Sequence, residues 1–339
     1  MVVNNGIAND ARVIKTAAAL RRAGAEVTVL GIATAGGPRE ETTAGGVRYV
    51  RLPVFPRRGA TAAYLRFALA RRAAHLVRDP RRWQRTLPSL RWYQRAFTRE
   101  LRALDPDIVH AHDIHLLDTV ARTWPPHRCP FVIYDAHEYV ADLAVAGRRT
   151  RREVESWAAK ERDRISDADA VITVSPEIAT RLAAEHHLPR RPTVVLNAPV
   201  RFDGPADPGA PAGPVRSLRA EVGVSASTPL AVYGGALSTA RGLGTVIEAL
   251  PLVPDLHLAI VAVPYPHPMS QELRELATSL GVADRTHLIE PVAAHEVPAF
   301  LASADIGVSA ILGTAASYDM AMPNKLFEFL HAGLRIVTS

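Results

Sequence analysis

The chain has 339 residues, 48% of them hydrophobic and 22% charged, an ordinary balance for a folded protein with room for two cores. No apolar run approaches the ~18 residues that a membrane-spanning helix needs, and the first ten residues lack the basic start and apolar run of a secretory signal. Cys129 is the only cysteine, so no internal disulfide can form, which fits a reducing, cytoplasmic setting.

Taken in order, the chain opens on the tail of a strand at residues 2–4. Gly6 follows, then a helical pattern over "NDARVIKTAAALRRAG" that Asp10 can cap and Gly24 can end. Strand-like runs come next at 26–32 ("EVTVLGI") and 46–53 ("GVRYVRLP"). Residues 57–102 then hold thirteen Arg against Asp79 and Glu100, helical in pattern and interleaved with Tyr64, Phe67, Trp83, Trp92, Tyr93 and Phe97. Solvated helices with buried aromatics, an interfacial surface resting on anionic lipid, and a nucleic-acid face are the three readings of that stretch. No binding motif accompanies the charge, so nucleic acid is not an expected partner.

Runs at 107–112 ("DIVHAH"), 131–137 ("FVIYDAH"), 170–175 ("AVITVS") and 193–199 ("TVVLNAP") complete a first set of strands. The segment "PVRFDGPADPGAPAGPV" at 199–215 is dense in Pro and Gly and reads as a connector. A second set follows at 230–235, 256–263, 286–291, 306–311 and 335–339. Strands alternating with helical patterns predict α/β architecture: doubly wound parallel sheets in two Rossmann-like domains, 1–198 and 226–339, joined by a linker at 199–225. The carboxyl ends of the strands should face a common cleft, where such sheets bind ligands. Little precedes Gly6 and no helix follows Ser339, so the expectation is a chain lacking its C-terminal end. The net charge of +6 divides unevenly, with 32 basic against 21 acidic residues over 1–197 and 8 against 13 over 198–339.

Three groups of residues could carry chemistry. On the last helix, Pro323 suits the first position and Gly333 the place just past the end. Lys325 then stands in the first turn, beside free backbone N–H groups and the positive end of the helix dipole, which is unfavourable unless an anion joins it. Glu328 shares its face, within reach of a ribose diol, while Leu326, Phe327 and Leu330 supply the buried side. An ordinary Lys–Glu surface pair, worth ~0.3 kcal/mol, is the alternative. In "YGGALSTARGLGTVIEAL", Gly234 and Gly235 end a strand and could let a backbone approach a ligand, and Arg241 could fork onto diphosphate oxygens. The third group is His110, His112 and Asp113 with His137 and Glu138, at the ends of two strands. Substrate hydrogen bonding, a metal-dependent hydrolase built on His110, His112 and His137, and plain core histidines are the competing readings.

Together "NDARVIKTAAALRRAGAEVTVLG", "DIVHAHD", "YDAHEY", "ADAVITVSPEIATRL", "VVLNAP", "YGGALSTARGL" and "MPNKLFEFLHAGLRIVTS" resemble, in order, the retaining family 4 glycosyltransferases. That resemblance implies a GT-B fold of two facing Rossmann-like domains and sugar transfer from a nucleotide-diphosphate donor, UDP- or GDP-linked, with no cofactor or metal required. It implies that Glu328 holds the nucleotide ribose and that Arg241 binds the diphosphate with Lys325 as a second ligand. Pro323, Asn324 and Leu326 line the same site, and Gly6 lies over the diphosphate. His137 stands near the transferred sugar, with His112, Asp113 and Glu138 on the acceptor side. The acceptor would be a sugar, a lipid-linked molecule or a small molecule, and 57–102 could rest on the inner face of a membrane. One departure is plain: the first glutamate of the family's paired motif falls at Met320, next to Asp319. An inactive, binding-only homologue is the alternative that this departure raises.

Overall fold

The computed structural model describes every residue except 9, 35, 55–68, 70–87, 144, 146–149, 200–215, 294–295 and 321. Most of the arginine-rich stretch and nearly all of the Pro/Gly-rich connector therefore lie outside the described residues. The chain forms two compact units, one of Met1–Leu196 with Ala315–Ala321 and one of Asn197–Thr314 with Met322–Ser339.

The first unit carries β1 (Thr28–Ile32), β2 (Glu40–Thr42), β3 (Arg48–Leu52), β4 (Ile108–His112), β5 (Phe131–Ala136), β6 (Ala170–Thr173) and β7 (Thr193–Val194). Two runs of neighbours, β1-β3-β2 and β4-β5-β6-β7, are joined through Val2, which bridges Leu30 of β1 and Ala111 of β4 in parallel. The strand tail expected at 2–4 is thus a single bridging residue. Among the described residues, every strand pair in this unit is parallel except β2 with β3. Sheets covered on both faces favour continuous apolar strands, and Val29, Leu30, Val109 and Ala111 are all fully buried. Asp10 accepts from the Val13 amide to start the helix Ala11–Arg22, and Gly24, at φ 92°, follows its end. The helix Pro88–Leu104 buries Tyr93, Phe97 and Leu101 at intervals of four, one side of a helix. Met320 packs into this unit's core, and Asp142 accepts from the Ala316 amide at the start of the short helix Ala316–Asp319.

The second unit is one parallel sheet of β8 (Leu230–Gly235), β9 (His257–Ala262), β10 (Thr286–Ile289), β11 (Ile306–Ser309) and β12 (Arg335–Thr338), in the order β10-β9-β8-β11-β12. Its helices cover two apolar faces, one around Ile247, Ile260 and Leu273, the other around Leu218, Phe300 and Phe329. The expected linker needs correcting at its end. Leu218–Val222 is a helix capped by Ser217, and its Leu218 is fully buried beside Leu230 and Val232, so apolar burial draws these residues into the unit. The final helix, Asn324–His331, also departs from expectation. Its inner face is Lys325 and Phe329, whereas Leu330 is exposed. Phe329 lies against Gly307 of β11, where any Cβ would run into its ring, and this close approach sets the helix's rotation.

Candidate functional site

In the first unit the candidate residues gather where β4 and β5 end. Parallel register pairs His112 with Asp135, and side chains two apart on a strand share a face, so His110, His112 and Asp135 converge. Arg12, in the first turn of its helix, donates from Nε and Nη2 to the two oxygens of Asp135 at 3.0 and 2.7 Å, and from Nη1 to the Val195 carbonyl at 2.8 Å. His110 Nε2 lies 3.2 Å from Asp135 Oδ2. His137, just past β5, places Nε2 3.0 Å from His112 Nδ1 and Nδ1 3.4 Å from Asp113 Oδ1. Sequence reasoning passed over both Arg12 and Asp135. The signal was present in two polar pairs of equal spacing, His110–His112 and Asp135–His137, on neighbouring strands.

Burial works against charge at every member of this cluster, and the partners decide which groups keep it. Burial alone would raise Asp135, but hydrogen bonds from His110 and Arg12, with the charged His137 3.7 Å away, hold its carboxyl far below the usual range. Burial would lower His137, yet Asp113 and Asp135 overcome it and raise the ring to about 9. His110 and His112 are lowered by burial, and His112 further by its histidine neighbours. At neutral pH the cluster therefore holds Asp135 as carboxylate, Arg12 and His137 as cations, and two neutral imidazoles. The charged His137 donates from Nε2 to His112 Nδ1, which leaves the His112 proton on Nε2, a buried atom with no partner among the described residues. His110, His112 and Asp135 are close enough to ligate a metal. The charges present do not suit one, since a guanidinium already spans both Asp135 oxygens and a protonated His137 adjoins.

The loop carrying Gly6 is held beside β3. Arg51 donates from Nε to the Gly6 carbonyl at 3.0 Å, and a Cβ on Gly6 would press on the Thr34 methyl. Ile7, fully buried, has φ 73°, a left-handed conformation costly for a β-branched residue, held by the Asn5 side chain accepting from its amide at 2.8 Å. Glu138 is exposed, as is Asp319, and Met320, at the place of the paired motif's first glutamate, is enclosed in apolar core.

In the second unit β8 ends in Gly234 and Gly235, and Lys325 reaches to them. Its Nζ sits 3.7 Å from the centre of the Tyr233 ring and would lie 3.9 Å from a Cβ placed on Gly235. Lys325 is 7% exposed, and its ammonium has no hydrogen-bond acceptor among the described residues; the Asn324 Oδ1 beside it is equally buried and unpartnered. Burial, then Arg241, push Lys325 down to about 7, with Glu328 pulling part of the way back. Tyr233, fully buried, donates its hydroxyl to the Ala236 carbonyl at 2.6 Å and so fixes the loop after β8. Gly242 has φ 66°, and any Cβ there would collide with the Ala310 carbonyl, which holds Arg241 close to β11. Pro323 precedes the helix rather than occupying its first turn, one position from expectation, and Leu326 and Glu328 are partly exposed. Arg241, Lys325 and Glu328 thus share one end of one sheet, with a helix N-terminus beside them.

Residues 10–199 match the family model of a glycosyl transferase 4-like domain, and residues 228–339 that of glycosyl transferases group 1. No curated protein matches the chain in sequence. A sucrose-phosphate synthase from Thermosynechococcus elongatus is similar in structure at 18% identity, with a TM-score of 0.66 over 96% of this chain and 74% of its own. HepE of Anabaena, solved with UDP-glucose, is similar at 15% identity and a TM-score of 0.62, over 99% of this chain and 79% of its own. WaaG, a glycosyltransferase involved in lipopolysaccharide biosynthesis, is similar at 16% identity and 0.59, over 99% and 80%. Both family models match in the order the two sheets occur, and the chain belongs to the GT-B glycosyltransferases, with a 4-like domain followed by a group 1 domain.

Proposed function

We propose that this glycosyltransferase moves a hexose-type sugar from a UDP- or GDP-linked donor to an acceptor hydroxyl, with retention at the anomeric carbon and without a metal ion. The observation that carries the reading is Lys325, a buried amine with no acceptor among the described residues, set at the carboxyl end of β8 with Arg241 near it. A diphosphate supplies the missing acceptors, and the amides at the start of Asn324–His331 donate to the same group. As the sugar–phosphate bond breaks, charge builds on the diphosphate, and Arg241 and Lys325 stabilise it as a metal would elsewhere. Glu328, one turn along, accepts from the ribose hydroxyls. HepE, solved with UDP-glucose, is the neighbour that favours a uridine donor. From the family resemblance, His137, His112, Asp113 and Glu138 are assigned to the sugar and acceptor, and the Gly6 loop to the diphosphate. The setting we propose is cytoplasmic, with domain 1–198 serving the acceptor and 226–339 the donor.

The test is calorimetric titration and turnover with UDP- and GDP-sugars. Glu328→Ala is expected to weaken binding of the preferred nucleotide with little change in stability. Arg241→Ala is expected to lower kcat by about 10²–10³ with a smaller change in KM, the loss typical of one charge-stabilising donor. Turnover should survive a strong chelator. Unchanged affinity in Glu328→Ala, or loss of activity on chelation, refutes the corresponding assignment, and no turnover of any nucleotide sugar leaves a binding-only homologue.

A further inference from the structure

We infer that binding of the donor's diphosphate draws a proton from solvent onto Lys325, so that donor affinity is coupled to proton uptake. The inference rests on the donor-site reading above and goes beyond it, because a cation fixed in charge would bind the same diphosphate with no proton exchanged.

The geometry of Lys325 is that of a group stored without its counterion. The Nζ faces the ring of Tyr233, itself fully buried, and finds no hydrogen-bond acceptor among the described residues. A ring face attracts a cation but accepts no conventional hydrogen bond, and an ammonium carries three donors. The charged groups that act on it are few. Arg241, in the turn after β8, opposes its charge, and Glu328, three residues along its own helix, favours it. The helix N-terminus beneath it opposes the charge again. Two of these three influences, and burial itself, favour the neutral amine in the empty site. Burial leads, and with Arg241 opposing the charge and Glu328 favouring it the group comes down to about 7. A diphosphate reverses the balance. It places two or more negative oxygens within reach of Nζ and offsets both Arg241 and the helix dipole, so the ammonium becomes the stable form.

Asn324 supports the same picture. Its buried Oδ1 lacks a donor, so the start of this helix carries two unsatisfied polar groups of opposite sense, an arrangement that packing alone does not favour.

Calorimetric titration of the full chain with UDP, GDP and ADP at pH 8.0, in three buffers of different ionisation enthalpy, tests the coupling. A group near 7 is mostly neutral at pH 8, so Lys325 should take up roughly nine-tenths of a proton as the nucleotide binds. The affinity should also fall by up to about tenfold per pH unit between pH 8 and 9. Lys325→Arg keeps a cation that cannot shed its proton and is expected to bind with heats that no longer depend on the buffer. Binding by the unaltered chain with identical heats in all three buffers overturns the coupling while leaving the diphosphate site in place. Uptake that persists in Lys325→Arg assigns the proton to another group and also overturns it. Binding of none of the three nucleotides removes the donor-site reading, and the coupling with it.

Discussion

At the scale of single residues, two buried charges have opposite value to the fold. Asp135 is satisfied by Arg12, His110 and His137, so Asp135→Asn would leave a buried guanidinium facing a neutral amide. Breaking such a pair typically costs about 3–5 kcal/mol, and urea unfolding should show a loss of that order. Lys325 is the reverse case, unpartnered among the described residues and proposed to serve binding. Lys325→Met keeps the stem and removes the unpartnered head, so it is expected to raise stability by about 1–3 kcal/mol while abolishing nucleotide binding. Loss of both properties together would mean that Lys325 also supports the fold. His137 sets a pH dependence. Its folded value of about 9 lies above the ordinary 6.5, so its charge adds stability that is complete below pH 6.5 and lost as pH rises to 9. The stability gap between the unaltered chain and His137→Gln should therefore narrow across that interval; a constant gap would place the charge on another group.

At the scale of elements, the strands that the sequence makes plain are those buried on both faces. "LAVYGG" and "LHLAIVAV" read as strands because every side chain meets apolar cover, and β8 and β9 occupy those places. β2 has no such signature. Glu40, Glu41 and Thr42 are exposed, and what holds them is pairing across to β3, with Arg48 meeting Glu40 and Arg51 meeting Glu41. Local periodicity does not contain that information. The paired spacing of His110–His112 and Asp135–His137 marks the place of Asp135, but its partner Arg12 lies 123 positions away and its role exists only once the helix and the strand are side by side. The last helix was legible in extent but not in rotation: three apolar residues suggested its inner face, whereas the fit of Phe329 onto Gly307 and of Lys325 onto Tyr233 decides it. Gly242 makes the loop after β8 testable as a unit. Gly242→Ala adds a left-handed strain and a collision with the Ala310 carbonyl, so it should lower the thermal midpoint and weaken nucleotide binding together. An unaffected midpoint would mean that the loop relaxes freely.

At the scale of the whole molecule, charge is the feature that composition made visible and the described residues hold only in part. Residues 1–197 carry +11 and 198–339 carry −5, and no helix among the described residues is long and apolar enough to cross a membrane. Arginines of 57–102, on the half proposed to serve the acceptor, would each contribute about 1 kcal/mol at an anionic surface, screened within ~10 Å. Sedimentation with anionic vesicles should show binding that weakens steeply with added salt and is absent with neutral lipid; no binding even at low salt would leave a small soluble acceptor.

The short helix Ala316–Asp319 belongs to the first unit although the residues on either side belong to the second. The polypeptide therefore passes between the units three times, near residues 197, 314 and 322, and neither unit is a continuous piece of the gene. An expression boundary drawn at residue 196 would strip Met320 from the core it fills and free Asp142 from the amide it receives. Chimeras made by exchanging halves with another transferase inherit the same problem, because seven residues of the C-terminal half must fit a foreign core. Swaps that carry 315–321 along with the first half are the ones in which both cores stay whole.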